Sequence, residues 1–203
     1  MSNKKPQLVL ASASPRRLEL LAQINIIPDA VMPADINEDP HPAELPRLYA
    51  ERMAREKLAA IIPQAKDSFC LAADTVVACG RRILGKPQDA EEARQFLTLL
   101  GGRRHRVLTS IAIKSPQGQI VERISTSHVK LNRLDDAALE AYIKSGEWQG
   151  KAGGYGIQGL AAQHVAWIEG SYTGIVGLPL FETAQVLRGL GWPLLNAHQA
   201  SND

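Results

Sequence analysis

The apolar positions of this chain change period repeatedly, and each change marks an element. Residues 7–12 (QLVLAS) form a short apolar run that reads as a buried strand. Ser14-Pro15 follows as a helix start, with a hydroxyl at the N-cap and proline at the first helical position, and the helix is predicted to run to about Gln23. Residues 33–46 (PADINEDPHPAELP) carry four prolines among acidic side chains and predict an irregular loop. Residues 47–62 return to helical period. Phe69 to Cys79 is a strand-like run, followed by a turn at Gly80-Arg81-Arg82 and a second short strand ending at Gly85-Lys86-Pro87. Asp89 to Leu100 reads as a helix with Asp89 and Glu92 placed as a capping box.

Residues 105–114 and 119–131 predict a hairpin around Ser115-Pro116-Gln117-Gly118, and Asp135 to Ser145 a helix. Gly150 to Gly159 is a glycine-rich loop, Gln163 to Glu169 a strand, and Pro179 to Gly189 the last long helix. Strands and helices mix without strict βαβ alternation, so the expected class is α/β with a mixed sheet flanked by helices. Residues 1–203 read as a single domain without linker or internal repeat, with 1–6 and 196–203 as frayed tails.

Composition narrows the function classes. With 203 residues, 45% hydrophobic and 22% charged, the chain can bury a sizeable core and is neither disordered, collagen-like nor a coiled coil. Twenty-three Lys and Arg against 21 Asp and Glu leave +2, which is no basic footprint for nucleic acid. Three Trp, four Tyr and three Phe, without an interleaved Arg/aromatic pattern, offer no stacking surface either, so nucleic acid is not an expected partner. Cys70 and Cys79 stand nine apart, with no C-x-x-C and no His at zinc spacing, which indicates neither a disulfide framework nor structural zinc. The opening MSNKKPQ and LVLAS lack the apolar stretch of a signal peptide, and no run reaches the ~18 apolar residues of a membrane span. A cytoplasmic protein with no membrane partner is expected, and assembly into a homodimer is left open.

Several residues contradict their local setting, and those carry the chemistry. Arg16 and Arg17 fall in the first turn of the first helix, where the macrodipole makes each cation unfavourable by about 0.3–1 kcal/mol. A helix N-terminus with two guanidiniums directly after a buried strand is instead a receptor for phosphate, the alternative being two solvated arginines. Projecting residues 47–62 at about 100° per residue stacks Ala50, Ala54, Lys57 and Ile61 on one face, with Met53 and Leu58 beside them. Lys57 is thus a cation in the core-facing stripe, and a snorkelling lysine and a functional one are both open. Asp74 interrupts the apolar run CLAADTVVAC, where an ionised carboxylate is costly without a cation or metal. A general base or metal ligand is favoured there over a structural hydrogen bond. Glu38 in the acidic loop is a second carboxylate, by itself a solvated charge.

Two motif matches are decoys. Gly80 to Lys86 fits most of the Walker pattern, but Pro87 replaces the hydroxyl residue that would meet magnesium. Gly154-Tyr155-Gly156-Ile157-Gln158-Gly159 fits G-x-G-x-x-G, but lies late in the chain without a following helix or a spaced acid, which argues against a nicotinamide cofactor. These segments still offer backbone that approaches a ligand closely, Lys86 as a phosphate cation, and Gln158 as an amide able to read a base edge.

LASASPRRLELL, AADTVV, ILGKP, KAGGYGIQG and GSYTGIVGLPL, in this order from Leu10 to Leu180, resemble the Maf family of nucleoside triphosphate pyrophosphatases over almost the whole chain. The resemblance implies an elongated mixed sheet flanked by helices, in two lobes around a central cleft, similar to the inosine triphosphate pyrophosphatases. It implies hydrolysis of a nucleoside triphosphate to the monophosphate and pyrophosphate with a divalent cation, Mg or Mn, as cofactor. By the resemblance Ser12, Ser14, Arg16 and Arg17 hold phosphates, Lys57 and Lys86 face them, Asp74 is the proton acceptor, and Glu38 assists the metal or the water. Glu38 and Asp74 are then the implied metal ligands. Thr75 and Gln158 resemble the branch of the family that acts on dTTP and UTP, and differ from the branch acting on 7-methyl-GTP. The departure from the family pattern is INEDPHPAELP, which is richer in proline. A nucleotide-sensing regulator of cell division without turnover, and a nucleic-acid module using the basic loop, are the competing classes; release of pyrophosphate and salt-dependent oligonucleotide binding separate them.

Overall fold

The computed structural model describes residues 6–193. The frayed tails expected at 1–6 and 196–203 fall, apart from Pro6, outside the described residues. Seven strands form one sheet: β1 (Leu8–Leu10), β2 (Ala30–Val31), β3 (Phe69–Cys79), β4 (Arg82–Leu84), β5 (Arg104–Lys114), β6 (Ile120–Leu131) and β7 (Val165–Glu169). Their order is β2-β1-β3-β5-β6-β7, with β4 paired to β3. β1 runs parallel to β2 and β3, and the remaining pairs are antiparallel, so the sheet is mixed as expected. Six helices flank it: α1 (Pro15–Gln23), α2 (Pro46–Ile61), α3 (Ala90–Leu100), α4 (Asp136–Ser145), α5 (Tyr172–Val176) and α6 (Leu180–Gly189).

β3 organises the molecule because both of its faces are covered, which is why its sequence reads as an almost unbroken apolar run. Side chains alternate across a strand. Phe69, Leu71, Ala73 and Val77 join Leu20 and Leu21 of α1, Phe96 and Leu97 of α3 and Leu187 of α6 in the larger core. Cys70 and Ala72 face Ala54, Leu58 and Ile61 of α2 in a second cluster. Val76 and Ala78 pack with Ala50 of α2 and Leu108 of β5 in a third. Asp74 belongs to the α2-facing set by the same alternation.

The partner strands along one edge of β3 do not meet. β1 covers Phe69 to Leu71 and β4 covers Val77 to Cys79. Ala11 N–H to the Leu71 carbonyl, 2.8 Å, is the last link on the β1 side. Since Phe69 N–H and the Leu71 carbonyl bond toward β1, the peptide groups of Ala73 and Thr75 face the uncovered gap. The sheet forks there, and the fork is the floor of the cleft described below.

Local chemistry differs from expectation at a few ends. Ser14 stands at the N-cap of α1, but its hydroxyl makes no capping bond. At α3, Asp89 Oδ1 accepts from Glu92 N–H at 2.8 Å as expected, while the Glu92 carboxylate reaches one residue further back, to Gln88 N–H at 2.8 Å. β7 starts at Val165 because Leu160–His164 winds into a 3₁₀ helix. β2 and α5 have no clear sequence signal: one is two residues long, and the other includes Gly and three β-branched residues and relies on the Ser171 cap to Gly174 N–H at 3.0 Å.

Gly153 ties the late glycine-rich segment to the rest. Its N–H donates to the Gly85 carbonyl at 2.9 Å, its φ is +70°, and a Cβ there would stand 2.8 Å from Val77 Cγ1. Gly150, with φ +65° and nothing within 4 Å, isolates the backbone component alone. Gly150→Ala is expected to lose roughly 1–2 kcal/mol from left-handed strain. Gly153→Ala should lose that plus about 1–3 kcal/mol from overpacking. Urea unfolding of both variants checks the difference.

Candidate active site

The fork opens into a cleft of about 690 Å³, within the roughly 300–1,000 Å³ span of small-ligand sites. Its lining includes the turn from β1 into α1, residues 11–17, and most of the segment 147–159. All ten residues singled out from sequence, Ser12, Ser14, Arg16, Arg17, Glu38, Lys57, Asp74, Thr75, Lys86 and Gln158, line this one cleft. They come from six separate stretches of chain, so the fold alone brings them together.

A carboxylate, an ammonium and a second carboxylate stand at its centre. Lys57 Nζ lies 2.6 Å from Asp74 Oδ1 and 2.9 Å from Glu38 Oε1, and Lys86 Nζ lies 3.7 Å from Glu38 Oε2. Lys57 and Asp74 are each 8% exposed, whereas Glu38 is half exposed at the mouth. The core-stripe lysine therefore does not snorkel: α2 presents it directly to the buried aspartate of β3. Burial pushes the Glu38 carboxyl up, but the hydrogen bond and charge of Lys57, with Lys86 and Arg17, hold it net below its ordinary value.

The two adjacent arginines do different work. Arg17 Nε donates to the Gly177 carbonyl at 2.9 Å, Nη1 to Ser12 Oγ at 2.8 Å, and Nη2 reaches Thr75 Oγ1 at 3.5 Å. Burial lowers its pKa, opposed by the charge of Asp74. It is a bracket between the α1 turn and the loop after α5. Arg16 makes no side-chain hydrogen bond among the described residues and lines the cleft beside the uncapped first turn of α1. Ser12 Oγ also accepts from Ser14 N–H at 3.2 Å, so its hydroxyl shapes the turn. Thr109 Oγ1 donates to the Gly174 carbonyl at 2.7 Å and lies 3.1 Å from Thr75 Oγ1, and Gln158 is exposed with its amide free among the described residues.

Sequence reading passed over Lys151 and Glu147, which line the same cleft. Lys151 Nζ donates to the Glu147 carbonyl, and burial with the nearby Arg16 charge lowers its pKa. Glu147 Oε2 accepts from Leu160 N–H at 2.8 Å, closing the segment into a loop. The KAGGYGIQG motif contains Lys151, but its glycines and glutamine drew the reading away from it. His105 and Tyr155, 2.7 Å apart beneath the cleft, were also missed because a lone His in a strand carries no motif.

Glu38 and Asp74 offer hard oxygen donors of the kind that hold Mg or Mn through one or two carboxylates plus substrate phosphates. Among the described residues no group of three or more His, Cys, Asp or Glu could hold a metal by itself. The donor set thus fits a divalent cation completed by phosphate oxygens.

Fold and cleft together define an α/β protein whose forked sheet opens into a cleft lined by paired carboxylates and several cations. The chain belongs to the family of Maf-like proteins, whose sequence profile matches residues 7–190. It is 56% identical over 190 residues to the dTTP/UTP pyrophosphatase of Cereibacter sphaeroides, covering 94% of this chain and 98% of that one. It is 58% identical over 185 residues to the protein of the same name from Hyphomonas neptunium, covering 91% and 96%. Among solved structures, a nucleoside-triphosphatase (dITP/XTP pyrophosphatase) from Mycobacterium abscessus matches at 16% identity and a TM-score of 0.42, covering 90% of this chain and 94% of that one.

Removing the ammonium between the carboxylates should cost stability and weaken the acid response. In Lys57→Met, Asp74 is stranded, and a loss of about 3–5 kcal/mol at neutral pH is expected. In the wild type the depressed Glu38 contributes stability that is present above its unfolded value and lost as pH falls through the folded one. Without the hydrogen bond and charge of Lys57 that contribution is smaller, so the difference between the two proteins narrows in acid. Urea unfolding of both proteins at pH 7 and pH 4 measures this; a Lys57→Met protein as stable as the wild type at pH 7, or a difference that widens in acid, would contradict the pairing.

Proposed function

We propose that this chain hydrolyses nucleoside triphosphates, dTTP and UTP first among them, to the monophosphate and pyrophosphate. The observation that carries the proposal is the convergence of cations and paired carboxylates on one cleft, in a chain more than half identical to proteins named dTTP/UTP pyrophosphatase. Its two cysteines are unpaired, which supports the reduced cytoplasm as its compartment. Among the described residues no helix is long and apolar enough to cross a membrane.

Arg16, Lys86 and the first turn of α1 bind the phosphate chain, while Arg17 and Ser12 hold that turn in shape. Glu38 and Asp74 would hold Mg or Mn, which when bound neutralises charge on the departing pyrophosphate. Asp74 Oδ1 is fixed by Lys57, and Oδ2 has no protein partner among the described residues. Asp74 Oδ2 takes the proton from the water that attacks the α-phosphorus. Lys57, between both carboxylates, keeps Asp74 ionised and aimed. Lys57 thus serves the phosphates through Asp74 and Glu38.

Gln158 and Thr75 read the base. The Gln158 amide can donate to a pyrimidine carbonyl and accept from N3–H, a pattern that cytosine reverses. A site built on such bonds rejects the mismatched base because its polar groups are left unpaired.

Asp74→Asn should lower kcat by about 10²–10⁴-fold while nucleotide binding survives, since the cations remain. Pyrophosphate release and binding calorimetry with a non-hydrolysable analogue check both halves. Triphosphate bound by the wild type without pyrophosphate release would leave a sensor in place of an enzyme. Competition among dTTP, UTP, CTP, GTP and 7-methyl-GTP is expected to give the highest kcat/KM to dTTP and UTP. A higher value for 7-methyl-GTP or CTP would overturn the base assignment and leave the hydrolysis standing.

A further inference from the structure

Glu38 stands on a segment that has no regular structure to place it. Between β2 and α2, residues 32–45 belong to no strand or helix, yet the Glu38 carboxylate meets Lys57 and Lys86 across the cleft. Three side chains outside the cleft lining account for this. Arg52, on α2, grips Glu44 with a two-pronged contact, Nε to Oε1 at 2.8 Å and Nη2 to Oε2 at 2.7 Å. The same Nη2 donates to the Asp39 carbonyl at 3.0 Å. Tyr49, one turn earlier on the same helix face, donates its hydroxyl to the carbonyl of Glu38 itself at 2.6 Å. Glu44 returns a bond to the loop by accepting from His41 N–H at 2.9 Å.

We infer that Arg52, Glu44 and Tyr49 are positioning residues for Glu38, a clasp that fastens the proline-rich loop to α2 and so delivers its carboxylate to the cleft. The inference rests on the reading of Glu38 under Proposed function. The loop is not relaxed in this arrangement. Ala43 has φ +59° in a turn whose Glu44 N–H donates to the His41 carbonyl at 3.0 Å. A non-glycine residue persists in that region only when its surroundings over-determine it, and the bond from Arg52 to Glu44, one residue on, is such a determinant. Arg52 also keeps the Glu44 carboxyl down at about 2, so the grip is ionised at every working pH. The guanidinium fork matters as well as its charge, because an ammonium cannot span both carboxylate oxygens and the Asp39 carbonyl.

Amide hydrogen exchange tests the clasp without any assay of turnover. In Arg52→Met, amides between 33 and 45 should exchange faster while those of β3 and α1 do not change, and Arg52→Lys should resemble Arg52→Met. Tyr49→Phe, which removes only a hydroxyl, should speed the amides around Glu38 and leaves no doubt about folding. Unchanged exchange in both variants overturns the inference. With dTTP as substrate, Arg52→Met is expected to lower kcat by about ten- to a hundredfold with KM nearly unchanged. Combined with Glu38→Gln it should add no further loss. Additive losses would mean that Arg52 does not act through Glu38 and would overturn the inference. If Glu38→Gln alone turns over at the wild-type rate, the role of Glu38 falls and the clasp's functional meaning with it. A wild type that releases no pyrophosphate overturns the hydrolase reading only, and the exchange result still decides the clasp.

Discussion

The cleft depends on a single buried contact, the 2.6 Å approach of Lys57 to Asp74. An isolated carboxylate in the core strand of a sheet could not stay ionised. The ammonium that makes it tenable comes from the helix lying across that face, so α2 and β3 must dock in one register for either charge to be tolerated. Such a pair contributes little net stability, because both ions give up hydration that their attraction only partly restores. What it secures is the ionised state and the aim of one oxygen. Glu38 then adds a second carboxylate, shared between Lys57 at 2.9 Å and Lys86 at 3.7 Å.

Around this trio the field is positive. The cleft is lined by Arg16, Arg17, Lys57, Lys86 and Lys151 against Glu38, Asp74 and Glu147, an excess equal to the formal +2 of the whole chain. The near-neutral balance of the protein thus conceals a local potential for anions, focused by the walls of a fork in the sheet. Asp74 and Thr75, adjacent in sequence, take different partners in this cleft. Strand alternation sends Asp74 toward Lys57 on α2, and sends Thr75 toward Thr109 and Arg17.

Much of this was legible in the sequence, for identifiable reasons. Asp74 and Lys57 stood out because each broke an apolar pattern, and a broken pattern in a core element has to be compensated by something. The long elements were legible for the same reason: β3 spans Phe69 to Cys79 as its apolar run predicts, and the hairpin of β5 and β6 turns at Ser115 to Gly118. The division of labour between Arg16 and Arg17 was not legible, since the decisive bond joins Arg17 to Gly177, 160 residues away. Nor was the placement of Glu38, because prolines and acids announce an irregular loop without saying where it goes.

That last case shows how a loop without a hydrogen-bonding ladder can still hold a carboxylate in place. A helix supplies a rigid row of side chains, and residues three apart on one face act at nearby points along it. Tyr49 and Arg52 use that spacing to take hold of successive carbonyls, of Glu38 and Asp39, while Lys57, further along α2, takes the Glu38 carboxylate itself. One helix therefore fixes both the backbone and the side chain of Glu38, and through Lys57 it also fixes Asp74. Lys57 of α2 thus meets both carboxylates, one carried by the core strand β3 and the other by the loop. Rich in proline, the loop has fewer conformations to lose when it is fastened, so the composition that made it look unplaced in the sequence helps to keep it placed.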